Sequence, residues 1–264
     1  MDIRENAKYI AAAVGVVALS IGAVVYISQR KPETPPAPTA VPAPKPLPPE
    51  EPAVKYPVEA QPAAEPLPAL DQSDGPLLSA LAGLIGKVPA DKFIVPEGLV
   101  RKIVVTVDNL PETKVAERLR PVQPVAGTLV ASGPEDQRTL NPANYDRYKP
   151  MVDLVRSLDE QQLMAIYTRY YPLFQDAYAN LGHPPQYFND RLVEVIDHLL
   201  ATPDVKGPIK LTQPNVLFEY ADPKLEALSA GQKVLIRMGS ANATVVKDKL
   251  RALRAKLVQQ KPPA

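Results

Sequence analysis

The chain has 264 residues, 30 Lys and Arg against 29 Asp and Glu, a net charge of +1, no cysteine, two histidines and 32 prolines. A near-zero net charge excludes strong overall attraction to nucleic acid, leaving only local patches. The lack of cysteine excludes a disulfide framework, a thiol nucleophile and a thiolate or iron–sulfur centre. Two histidines would leave a zinc site to carboxylates, so neither metal nor cofactor is expected.

After a short tail (1–9), residues 10–27 read "IAAAVGVVALSIGAVVYI", 18 residues without a charge. As a helix they extend roughly 27 Å at about 1.5 Å per residue, close to a hydrocarbon core of about 30 Å. Tyr9 and Tyr26 stand at the interfaces, with Arg4, Lys8, Arg30 and Lys31 outside them. A cleaved signal peptide would have a shorter apolar run and small residues at its end, and "VVYISQRK" is bulky there. The span therefore reads as an uncleaved anchor. Ala11, Gly15, Ala18 and Gly22 form a stripe of small residues along it, which suits close packing of two such helices into a homodimer.

Residues 28–74 form a linker, and positions 32–68 hold 14 prolines in 37 residues. Proline fixes φ and removes amide donors, so this segment reads as a disordered spacer with polyproline II preference. It could reach on the order of 110 Å at about 3.1 Å per residue. Lys and Arg are balanced across the span and barely orient it. The extended spacer directly after it favours a cytoplasmic N-terminus and a C-terminal domain in the periplasm of a bacterial inner membrane.

Residues 75–258 have the composition of a globular domain, mainly α, with 259–264 as a tail. Ser73, Asp74 and Pro76 supply cap and first-turn chemistry for "PLLSALAGLI", which stops at Gly86. "PEGLVRKIVVTVDNL" (96–110) has Leu99, Ile103, Val107 and Leu110 at helical spacing, while its β-branched content leaves a strand open. Residues 111–140 read as a long irregular connection. Asn141-Pro142 caps the next helix, and Ser157 with Glu160 reads as a capping box for the one after it. Pro185, Asp222-Pro223 and Ser229/Gln232 open further helices, and Gly239 precedes the last. Only 208–220, "PIKLTQPNVLFEY", has strand character, kept short by its prolines.

The most aromatic stretch is "YTRYYPLFQDAYANLGHPP" (167–185). Leu163, Tyr167, Tyr170, Phe174, Ala177 and Leu181 follow one helical stripe, which is the pattern of a core face. Tyr171 and Tyr178 lie on its flank and could offer hydroxyls to a partner. Pro172 predicts a kink, because it removes one helical amide. Asp159/Glu160 and Asp190/Glu194 are carboxylate pairs, but no motif of nucleophile, phosphate loop or zinc ligation accompanies them. Glu194 and His198, four apart, read as a surface hydrogen-bonded pair. From 233 onward, Lys233, Arg237, Lys247, Lys249, Arg251, Arg254, Lys256 and Lys261 face only Asp248. This reads as the solvated outer face of a terminal helix, or, with Lys247, Lys249, Arg251 and Arg254 as candidates, as a site for an anionic partner: lipid headgroups, a cell-wall polymer or an acidic envelope protein.

The succession "GPLLSAL", "FIVPEGLVRKIVVTVDNLP", "YDRYKPMVDLV", "YTRYYPLFQDAYANLG", "FNDRLVEVIDHLLATP" and "ADPKLEALSAGQKVLIRMG" resembles a proteobacterial family of single-pass envelope proteins. That family's shared domain has no assigned function. The resemblance covers about Leu77 to Leu257 and implies a membrane protein, with no active site to transfer. The reading is a non-enzymatic, tethered interaction or scaffolding module, with a cell-wall hydrolase or glycan binder as the alternative and no nucleic-acid partner.

Overall fold

Asp74 opens the first of nine α-helices found among the residues that the computed structural model describes, 53–58, 66–183 and 185–259. The expected anchor, with its stripe of Ala11, Gly15, Ala18 and Gly22, and most of the expected proline-rich spacer lie outside the described residues. Among the described residues no helix is long and apolar enough to cross a membrane.

Helices α1 (Asp74–Ile85) and α2 (Lys87–Phe93) meet at Gly86, whose φ of 87° is a left-handed value that glycine adopts freely. Helix α3 (Leu99–Asn109) settles the open alternative for 96–110 in favour of helix. Its β-branched residues are weak helix formers, but Leu99, Val100 and Val104 are fully buried on one face, and burial outweighs propensity. The two oxygens of Asp74 accept the amides of Gly98 and Leu99, at 2.6 and 2.7 Å. Asp74 therefore caps α3 from 24 residues away, satisfying first-turn donors that a helix cannot satisfy itself.

Helices α4 (Ala143–Ser157), α5 (Glu160–Ala179) and α6 (Phe188–Leu200) follow. The cap of α5 is Asp159, whose carboxylate accepts the Gln162 amide at 2.7 Å. Ser157 instead donates its hydroxyl to Leu154 O, so the expected capping box is corrected to a single Asp cap two residues later. Pro172 lies within α5, which continues through it to Ala179. The chain closes with α7 (Pro223–Glu226), α8 (Ala230–Arg237) and α9 (Ser240–Val258). Asp222 caps α7, and Ser229 with Gln232 forms a complete capping box on α8, both as read from the sequence.

The β content is small. Strands β1 (Ala131–Ser132) and β2 (Thr139–Leu140) pair antiparallel, as do β3 (Leu211–Thr212) and β4 (Glu219–Tyr220). A bridge from Thr139 to Lys210 and the bonds Leu140 N–Ile209 O and Leu211 N–Arg138 O join the two hairpins. The β1–β2 hairpin falls in the stretch read as irregular. Its turn, Ser132-Gly133-Pro134, needs glycine: φ is 93°, and a Cβ would stand 2.9 Å from Gln137 O.

Helix α5 is the centre of the domain. Tyr170, Tyr171, Leu173, Phe174, Ala177 and Tyr178 pack with Leu77, Leu99, Val100, Val104 and Phe188 in one cluster. Met164 joins a second cluster with Val193, Ile196 and Leu257. Two sides of α5 are thus covered, more than the single stripe expected. Leu181, at the end of that stripe, is exposed. The domain also begins earlier than Gly75: Tyr56, Val58, Leu67 and Leu70 pack against these same clusters.

Candidate functional site

The aromatic residues come first. Phe174 is stacked between Tyr167 and Phe188, with ring centroids 5.7 and 5.8 Å away. Tyr171 and Tyr178 share this interior. The Tyr171 hydroxyl donates to Gln175 Oε1 (3.2 Å), and that of Tyr178 donates to Gln186 Oε1 (3.1 Å). Burial pushes the Tyr171 phenol up to about 12 and raises Tyr178, so both stay neutral near pH 7. The two hydroxyls are therefore taken by Gln175, half-buried, and Gln186, exposed, at the edge of this interior. Flank positions become interior here because α3, α6 and α9 all pack on α5.

His183 stacks on Tyr178 at 4.8 Å, with Nε2 3.6 Å from Asp108 Oδ2. The Glu194/His198 pair does not form; His198 Nε2 meets Ser229 Oγ at 2.9 Å, and Glu194 faces Lys55 and Arg191. The carboxylate pairs have structural partners too. Asp159 caps α5, Glu160 binds Lys249, and Asp190 accepts the amides of Lys55 and Tyr56.

The basic residues of α9 divide into two places. Lys249 donates to Leu158 O and Glu160, and Arg254 grips both oxygens of Asp197. The Lys249 hydrogen bond, with the backbone amide, holds the Glu160 carboxyl below its ordinary value. Lys247 and Arg251 instead line a cavity of about 220 Å³ together with Tyr145, Asp204, Ile209 and Ser240. There Lys247 donates to Thr202 O, Ser240 to Asp204, and Arg251 to Asp248. Three of the four candidate cations thus have carboxylate partners within the domain, while Lys247 is held by the neutral Thr202 carbonyl.

The β3–β4 loop presents a different kind of surface. Val216 and Leu217 are 87% and 76% exposed. They are adjacent, and the loop that carries them is braced. Gln213 Nε2 donates to Val216 O at 3.0 Å, Arg138 donates to Gln213 Oε1, and the Arg138 guanidinium lies 5.5 Å over the Phe218 ring. Phe218 in turn packs on Leu140, Ile209, Leu211 and Tyr220. Sequence reasoning passed over this tip, although "QPNVLF" places apolar residues directly after turn residues.

The family model DUF3014, described as a protein of unknown function, matches residues 99–254. The chain belongs to this family. The DUF3014 match spans α3 to most of α9 and takes in both hairpins, the 220 Å³ cavity and the β3–β4 tip. The α1–α2 pair and residues 53–58 lie before it. No curated protein and no solved structure matches the chain.

Proposed function

We propose that the DUF3014 domain of this chain is a non-enzymatic interaction module, held on a single-pass anchor by the proline-rich spacer and working in the periplasm of a bacterial envelope. The observation that carries the binding part is the braced β3–β4 tip. A lone exposed aliphatic residue needs no explanation, whereas two adjacent ones on a loop fixed by three side-chain contacts make a preformed contact point. The ligand is a protein with an apolar recess, because the tip projects side chains and offers no cleft of its own. The uncharged 10–27 segment and the extended spacer support the location.

A photoreactive residue at position 216, introduced in living bacteria, is expected to give a discrete protein adduct. Leu217→Asp beside that residue should remove the adduct and leave the melting temperature unchanged, since exposed positions contribute within about 0.5 kcal/mol. A periplasm-active reporter fused after Ala264 should be active. Cell-wall digestion by the purified chain, with no adduct at the tip, would put the hydrolase reading first.

A further inference from the structure

Residues 53–58, Ala-Val-Lys-Tyr-Pro-Val, lie on the domain in a way that the packing of a spacer does not require. Asp190, in the first turn of α6, accepts two consecutive main-chain amides, Lys55 N at 3.0 Å and Tyr56 N at 2.8 Å. Asn189 Nδ2 donates to Tyr56 O at 2.8 Å. Asn189 is 0% exposed, and its Oδ1 accepts the Tyr167 hydroxyl at 3.0 Å. The buried phenol thereby fixes which end of the amide meets the peptide.

The chain bends at Lys55 and Tyr56, which turns both amides toward the one carboxylate. Tyr56 packs on the Met164–Val193–Ile196–Leu257 cluster and Val58 on the Phe174–Phe188 cluster. Lys55 points outward, its Nζ 3.5 Å from Glu194 Oε1. Pro57 has no amide to leave unsatisfied. Every close polar contact except that of Lys55 is to main chain. Main-chain bonds thus hold the segment, while the two apolar clusters receive Tyr56 and Val58.

We propose that the groove formed by α5, α6 and α9, with Asn189 and Asp190 as its backbone clamp, is a binding site for a peptide that bends at an aromatic residue directly before proline. The chain's own Lys55–Val58 occupies it in cis. The contact latches the spacer to the domain, and release both frees the groove and lengthens the spacer. A covalently attached segment has an effective concentration in the mM range, so a peptide in trans enters only where the latch is weakened.

Two measurements on the full chain in detergent test this. First, amide exchange at Lys55 and Tyr56 in the wild type is expected to be at least about ten-fold slower than in a free peptide, as for hydrogen-bonded amides. Free-peptide rates would overturn the latch. Second, a fluorescent peptide of residues 52–60 is titrated against the wild type and against Tyr56→Pro, which removes the ring and the amide together. The peptide should bind the variant at least about ten-fold more tightly, from the loss of cis competition. The same peptide carrying Tyr56→Ala should not bind, a control that leaves the protein unaltered. Equal binding to both proteins, or undiminished binding of the altered peptide, would overturn the proposal. None of these changes touches Val216 or Leu217, so failure here leaves the reading of the tip standing.

Discussion

At the scale of single residues, the rings of α5 decide how much of the aromatic stretch is interior. Phe174 is 5% exposed between two stacked rings. Phe174→Ala should cost about 3–5 kcal/mol, the range for truncating a buried ring. Tyr171→Phe deletes one hydroxyl bonded to a glutamine four residues on, and should cost about 0.5–1.5 kcal/mol. Urea unfolding of the two variants separates these values. A Phe174→Ala protein as stable as the parent would mean that the ring stack does not form. Tyr167, Tyr170 and Phe174 were legible from spacing alone. Burial of Tyr171 and Tyr178 was not, because spacing tells which residues share a face but not how many neighbours a helix has.

At the scale of elements, helix ends that lie close to their caps in sequence were readable. Ser229/Gln232 and Asp222 cap as their spacing says, since the chemistry is local. Asp74 was assigned to its own helix, yet its carboxylate spans the start of α3. That bond depends on two chain segments meeting. Asp74→Ala should therefore destabilise the domain by about 1–2 kcal/mol, as for loss of an N-cap. The loss should appear in hydrogen exchange as faster opening of α3 rather than of α1. Faster exchange confined to α1 would return Asp74 to the role first read for it. Ser157→Ala, which removes only a bond back to Leu154 O, should stay within about 0.5 kcal/mol.

At the scale of the whole molecule, buried tyrosines set an alkaline limit. Burial pushes Tyr171 and Tyr220 up to about 12, from an ordinary 10.0. A raised folded value means that the folded state keeps a proton the unfolded chain loses. This contribution is complete below pH 10 and disappears as pH rises from 10 to 12. The melting temperature should fall over that interval and not before, and Tyr220→Phe should soften the fall. A melting temperature level to pH 12 would mean that the rings are hydrated. On the acid side, burial would raise Glu226, but the Lys233 ammonium and the Tyr220 amide outweigh it and hold its carboxyl low. Its contribution is present above the ordinary 4.5 and lost as pH falls below it.

The sequence by itself determined the mainly α domain and most of its helix positions. These rest on periodicity, on caps within a few residues and on composition, all properties of neighbours along the chain. Tertiary structure alone decided that α3 is a helix, that Lys249 and Arg254 are neutralised by Glu160 and Asp197, and that Asp190 faces the backbone of Lys55 and Tyr56. In each case the partner lies far away in sequence: 89 residues for Lys249–Glu160, 57 for Arg254–Asp197 and 134 for Tyr56–Asp190. A count of charges or prolines carries no information about which of them meet. That is why a proline-flanked "VKYPV" reads as spacer in one dimension and as a bound peptide in three.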